Sequence, residues 1–121
     1  MNSRVSDEGK TAATMRLLIV TYWVTLVFLV IKNFKHKGLE RFFTRGSKAG
    51  IEAAHTRRLQ LILARLNAST QPRDMNLPGL YLHELKGERK GTWSVRVSGN
   101  WRVTFDYDGQ DVTNVNYEDY H

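Results

Sequence analysis

Apolar positions along the 121-residue chain follow three regimes. Leu17 to Ile31 is a continuous apolar run broken only by Thr21 and Thr25. From Leu39 to Leu66 the spacing is helical. Leu39, Phe42 and Phe43 recur at i, i+3, i+4, and Gly46 follows as a left-handed helix cap. Ile51, Leu59, Ile62 and Leu66 predict a second helix from about Lys48 to Asn67, with Arg57, Arg58 and Arg65 off its apolar side. The stretch Ala68 to Gly79 holds both prolines, Pro72 and Pro78, and reads as a loop. Beyond Leu80 the period becomes two: Trp93, Val95 and Val97, then Trp101, Val103 and Phe105, then Thr113, Val115 and Tyr117. Ser98 to Asn100 and Asp108-Gly109 supply the turns. With Ile31 to Phe34 as a short edge strand, the pattern predicts an α+β domain. Two N-terminal helices pack on one face of a small twisted antiparallel sheet of about four strands.

Residues 1–16 are polar and aperiodic and read as disordered. The apolar run after them has three readings. As a membrane helix it is short: 15 residues rise about 22 Å against a hydrocarbon core of about 30 Å. As a secretory signal it lacks a small-x-small cleavage site. As a mis-assigned start it ends where Val30 precedes Ile31-Lys32-Asn33-Phe34, a valine codon being able to start translation. The last reading is preferred, and a membrane role is not expected.

The formal net charge is +6, and from Ile31 onward 15 Lys/Arg stand against 10 Asp/Glu. The excess therefore sits in the folded part and suits an anionic partner, although basic charge alone more often serves solubility. The helix arginines are assigned chiefly to a solvated face. There is no cysteine, which excludes disulfides, zinc-thiolate sites and thiol catalysis and fits a reducing cytoplasm.

Strand register gives the polar residues a common face. A Ser98–Asn100 loop sets Val97 against Trp101 and Arg96 against Arg102; an Asp108–Gln110 loop sets Trp101 against Tyr117 and Arg102 beside Asn116. A Gly87–Lys90 loop sets His83 against Ser94. His83, Arg96, Arg102 and Asn116 then share the side away from the helices, and Asp119, Tyr120 and His121 can fold over it. Opposed arginines repel unless something negative lies between them. A scissile phosphate would serve. Two histidines can act as base and acid near neutral pH, guanidinium groups can hold the phosphate, and RNA brings its own 2′-hydroxyl nucleophile. No metal-ligand spacing occurs, so neither metal nor other cofactor is expected. His36 and His55 are read as ordinary surface polar residues, Trp93 and Trp101 as core, and Lys86 has no face assigned by parity.

The segments Val30-Ile31-Lys32-Asn33-Phe34, Leu82-His83-Glu84-Leu85-Lys86-Gly87, Asn100-Trp101-Arg102-Val103-Thr104-Phe105 and Asn116-Tyr117-Glu118-Asp119-Tyr120-His121 together resemble the HigB toxins of the RelE superfamily. The resemblance runs from about Val30 to the end, which divides the chain into an extension over 1–29 and a toxin domain over 30–121. It implies a RelE-like microbial RNase fold and a type II toxin–antitoxin function: cleavage of translated mRNA in the ribosomal A site. It also implies a HigA-like helix-turn-helix antitoxin, through which alone operator DNA is reached. His83, Asp119, Tyr120 and His121 match the family's catalytic residues, and Lys86 and Arg102 its phosphate-facing cations; Arg96 rests on the register alone. The competing readings are a non-catalytic basic nucleic-acid-binding protein, whose binding would weaken steeply with salt, and a membrane-attached small protein.

Overall fold

The computed structural model describes residues 30–120. His121 and all but the last two residues of the apolar run lie outside them. Helix α1 (Lys37–Arg45) starts at His36, whose Nδ1 accepts the Leu39 N–H at 2.9 Å, and ends at Gly46 with φ 74°. It buries Leu39 and Phe42. Helix α2 (Thr56–Asn67) begins later than its apolar periodicity suggests. A turn at Ala49–Gly50, with Gly50 at φ 79°, and a 3₁₀ turn at Ala53–His55 take up the intervening chain. Ile51 reaches the core from that loop rather than from a helix. Leu59, Ile62, Leu63 and Leu66 form the buried stripe of α2. The proline-bearing connection contains a 3₁₀ turn, Pro72–Met75, which buries Met75.

Four antiparallel strands follow in the order β1 (His83–Glu84), β2 (Trp93–Ser98), β3 (Trp101–Asp108) and β4 (Asp111–Asp119), each hydrogen-bonded to the next. The segment at 31–34 lies at the β4 edge as expected, but it runs parallel to β4 through two isolated bridges, Ile31 to Val112 and Phe34 to Val115, and is not a strand of the antiparallel sheet. Val95, Val103, Phe105, Val112, Val115 and Tyr117 close the core against Leu39, Leu59, Ile62 and Leu66. The α+β architecture read from the sequence is the observed one. Among the described residues no helix is long and apolar enough to cross a membrane.

The register agrees with the sequence reading at two of its three joints. His83 pairs with Ser94 and Arg96 with Arg102. Ser98, rather than Val97, faces Trp101, because a bulge between Arg96 and Ser98 takes up the extra residue of a shorter turn. At the third joint the pairing slips by two residues: Trp101 faces Asp119, Arg102 faces Glu118, and Thr104 faces Asn116. Two features cause the slip. The β3–β4 turn is only Gly109-Gln110, and a bulge at Asn114, whose φ is 54°, inserts one residue into β4. The bulge is fastened by Asn114 Nδ2, which donates to Asp106 at 2.9 Å, while Thr92 Oγ1 donates to the other Asp106 oxygen. A slip of two preserves every side chain's face. It changes the neighbours.

Two histidines are not the bland surface groups that were expected. His36 is the cap of α1 and meets the Tyr117 ring edge-on at 5.3 Å. His55 is only 8% exposed, and its Nδ1 lies 2.6 Å from the Tyr117 hydroxyl in a cluster with Trp101. Nor are all the α2 arginines free on a solvated face. Arg58 donates to the Gly79 and Arg96 carbonyls, and Arg65 to that of Asp74, tying the helix to the chain that leads into the sheet.

Candidate active site

In an antiparallel ladder, paired residues project from the same face. Two rows therefore cross the side of the sheet opposite the core: His83–Ser94–Thr104–Asn116, and Arg96–Arg102–Glu118. The sequence placed His83, Arg96, Arg102 and Asn116 there, and their register does the same. Glu118, weighed from the sequence only as a possible metal ligand and set aside, is the electrostatic centre of this face. Arg89, in the 3₁₀ turn between β1 and β2, grips its carboxylate with two bonds of 3.0 and 2.8 Å. Thr104 Oγ1 donates to it at 2.6 Å and Asn116 Nδ2 at 3.3 Å. The Arg89 guanidinium is the main reason that the Glu118 carboxyl lies below the usual glutamate range, with the Thr104 and Asn116 bonds adding to it. Register sets this carboxylate opposite Arg102, so a negative group already lies in the row of the opposed arginines, although its bonds go to Arg89, Thr104 and Asn116. Glu118 could have been found from the chain: it shares parity with Asn116 in the closing Asn-Tyr-Glu-Asp segment.

His83 stands exposed at the sheet edge, with its Nδ1 3.1 Å from the Tyr81 carbonyl. A carbonyl can only accept, so Nδ1 carries the hydrogen. In the neutral imidazole Nε2 is then the lone-pair nitrogen, free to take a proton. His83, Lys86 and Tyr120 line one open cavity of about 260 Å³ with Glu84 and Leu85. Lys86, unassigned by strand parity, thus has a place: it sits just past β1 on the rim that His83 occupies. Tyr120 is brought there because its N–H donates to the Asn100 carbonyl at 2.8 Å, continuing the pairing past β4 and fixing the tail beside the β2–β3 turn. Arg102 Nη1 donates to the Gly99 carbonyl at 3.3 Å, whereas its buried Nε has no acceptor among the described residues. Arg96 lies with its guanidinium carbon 5.6 Å from the centre of the Tyr81 ring.

The described residues therefore bring His83, Lys86 and Tyr120 around one cavity and set Arg96 and Arg102 in the adjacent row of the same face. Asp119 pairs with Trp101, and strand alternation assigns it to the opposite side from Glu118. His121 falls outside the described residues. Chemically, the arrangement offers an imidazole with a set tautomer, an ammonium group, a phenol and two guanidinium groups along an open, shallow surface. That suits an extended polyanion better than a small enclosed ligand.

Comparison with known proteins points the same way. Residues 32–121 match the family of RelE-like toxins of type II toxin–antitoxin systems, HigB. The endoribonuclease HigB of Proteus vulgaris is 41% identical over 92 residues, which is 76% of this chain and the whole of that protein. On these matches, and with the α+β fold above, the chain belongs to the HigB-like toxins of the RelE superfamily.

Proposed function

We propose that this toxin is an endoribonuclease that cuts mRNA during translation, in the ribosomal A site, through the RNA's own 2′-hydroxyl and without a metal ion. The observation that carries the reading is His83, with Nδ1–H committed to a carbonyl, sharing a cavity with Lys86 and Tyr120 beside the Arg96–Arg102 row. The name of the Proteus vulgaris relative supports RNA cleavage as the activity.

The chemistry follows from these groups. A basic imidazole takes the proton of the 2′-hydroxyl. The O2′–P bond forms as the P–O5′ bond breaks, and a protonated group delivers a proton to the departing 5′-oxygen. The products are a 2′,3′-cyclic phosphate and a 5′-hydroxyl. His83 and His121 take the two proton roles, and Tyr120 stacks on a base or donates a proton, while Asp119, paired with Trp101 on the other side of the sheet, is not in place to orient His83. Lys86, Arg96 and Arg102 hold the charge of the pentacoordinate phosphorus. The toxin unit spans 30–121, acts in the cytoplasm, and is silenced by a HigA-like helix-turn-helix antitoxin that carries the complex to operator DNA.

Induction in cells, with mapping of new mRNA 5′ ends in the presence and absence of translation, tests the reading. Cuts that need translation and vanish in His83→Ala and in a chain lacking His121 are expected. Equal cutting by both variants, or by wild type with translation blocked, would overturn it.

A further inference from the structure

Three large apolar or aromatic side chains are conspicuously exposed among the described residues, and two of them, Tyr81 and Tyr120, flank His83. Tyr120 lines the His83 cavity, and Tyr81 supplies the carbonyl that receives His83 Nδ1. Tyr81 is the most exposed of the three, at 65%, and its backbone is unusual. Its φ of 50° lies in the left-handed region, which is rarely populated outside glycine and asparagine. The chain is fixed there by its neighbours: Gly79 has φ 84°, its carbonyl is bonded by Arg58, and the Leu80 carbonyl accepts the Arg96 N–H at 2.7 Å. The same conformation does two things at once. It aims the Tyr81 carbonyl at the imidazole and leaves the phenol ring in solvent, with the Arg96 guanidinium beside it.

An unburied aromatic ring held by a strained backbone gains nothing for the core, since burial is what aromatic side chains contribute to stability. It is well suited to one ligand class. The flat face of an unpaired nucleobase stacks on an aromatic ring, and a neighbouring guanidinium adds cation–π attraction and a contact for phosphate. We propose that Tyr81 is a stacking platform for a nucleobase next to the scissile phosphate, a binding residue acting beside His83 and not through it. This rests on the RNA-cutting reading above.

The test is a double cycle on ribosomes programmed with a short mRNA, comparing KM and kcat for Tyr81→Ala, Tyr81→Gly, Tyr81→Phe and Tyr81→Trp. Glycine suits φ 50° and guards against misfolding, and every variant keeps the carbonyl that holds His83. Alanine and glycine should raise KM about tenfold to a hundredfold with kcat little changed, while phenylalanine and tryptophan restore it. Placing an abasic nucleotide at each position around the cut in turn should then find one position where the lesion harms wild type but adds nothing to Tyr81→Ala. Additive losses at every position, or a KM for Tyr81→Gly equal to that of wild type, would overturn the stacking role while leaving RNA cleavage standing. A wild-type protein that cuts no RNA under these conditions overturns both.

Discussion

Replacing Glu118 by glutamine tests the electrostatic centre of the open face. The substitution keeps the shape but removes the charge and exchanges one acceptor oxygen for a donor. It disrupts the two-bond grip of Arg89 at 3.0 and 2.8 Å and weakens the Thr104 bond at 2.6 Å. Hydrogen bonds to charged groups contribute about 1.5–3 kcal/mol, and exposed ion pairs about 0.2–1 kcal/mol. Side-chain exposures of 40% for Arg89 and 21% for Glu118 put this pair between the two cases, so a loss of about 1–2 kcal/mol is expected. For a domain of this size that lowers the melting temperature by roughly 4–16 °C. The pH dependence is the sharper signature. Glu118 has a folded pKa below its unfolded value, so the unfolded chain takes up a proton first as pH falls. The contribution is complete above about pH 5, declines through the unfolded value near 4.3, and is gone once the folded carboxyl protonates. The gap between wild type and Glu118→Gln, followed by circular dichroism from pH 7 to pH 3, should therefore narrow. Equal melting at pH 7, or a gap undiminished at pH 3, would refute the assignment.

Other perturbations separate scaffold from chemistry. Tyr117→Phe removes the hydroxyl 2.6 Å from His55 Nδ1 and leaves a buried imidazole nitrogen unpaired, so thermal unfolding should report a loss of about 1–3 kcal/mol. Arg102→Ala should reduce cutting about a hundredfold or more in single-turnover assays while melting within a few degrees of wild type, because among the described residues its side chain donates only a long 3.3 Å bond, to the Gly99 carbonyl. A chain begun at Val30 should arrest growth as fully as the longer one, measured by colony counts after induction. Restoration of toxicity only by residues 1–29 would refute the proposed boundary.

The sequence made the fold legible where its pattern is periodic. The apolar alternation of Trp93, Val95 and Val97 with Trp101, Val103 and Phe105 specifies which side of each strand is buried, and the observed register keeps those faces. Parity is robust because a pairing error of two residues leaves each side chain on its face. Neighbour identity is not robust. The bulge at Asn114 depends on its backbone taking a left-handed conformation while its side chain bonds Asp106, and no periodicity announces that. Glu118 was therefore missed as the partner of Arg102, and Arg89, in a short turn outside any strand, had no parity by which to be placed. His55 was misread for a related reason. Helical spacing around Leu59 does not reveal that a 3₁₀ turn directs the preceding residue inward to Tyr117.

If imidazoles and guanidinium groups on the open face drive attack by the RNA's own 2′-hydroxyl, the products of cleavage carry its signature. An mRNA made with a single 2′-deoxy substitution at the nucleotide normally cleaved should remain intact, and fragments from unmodified mRNA should carry a 5′-hydroxyl and a 2′,3′-cyclic phosphate. Undiminished cutting of the deoxy substrate, or fragments bearing a 5′-phosphate, would contradict it.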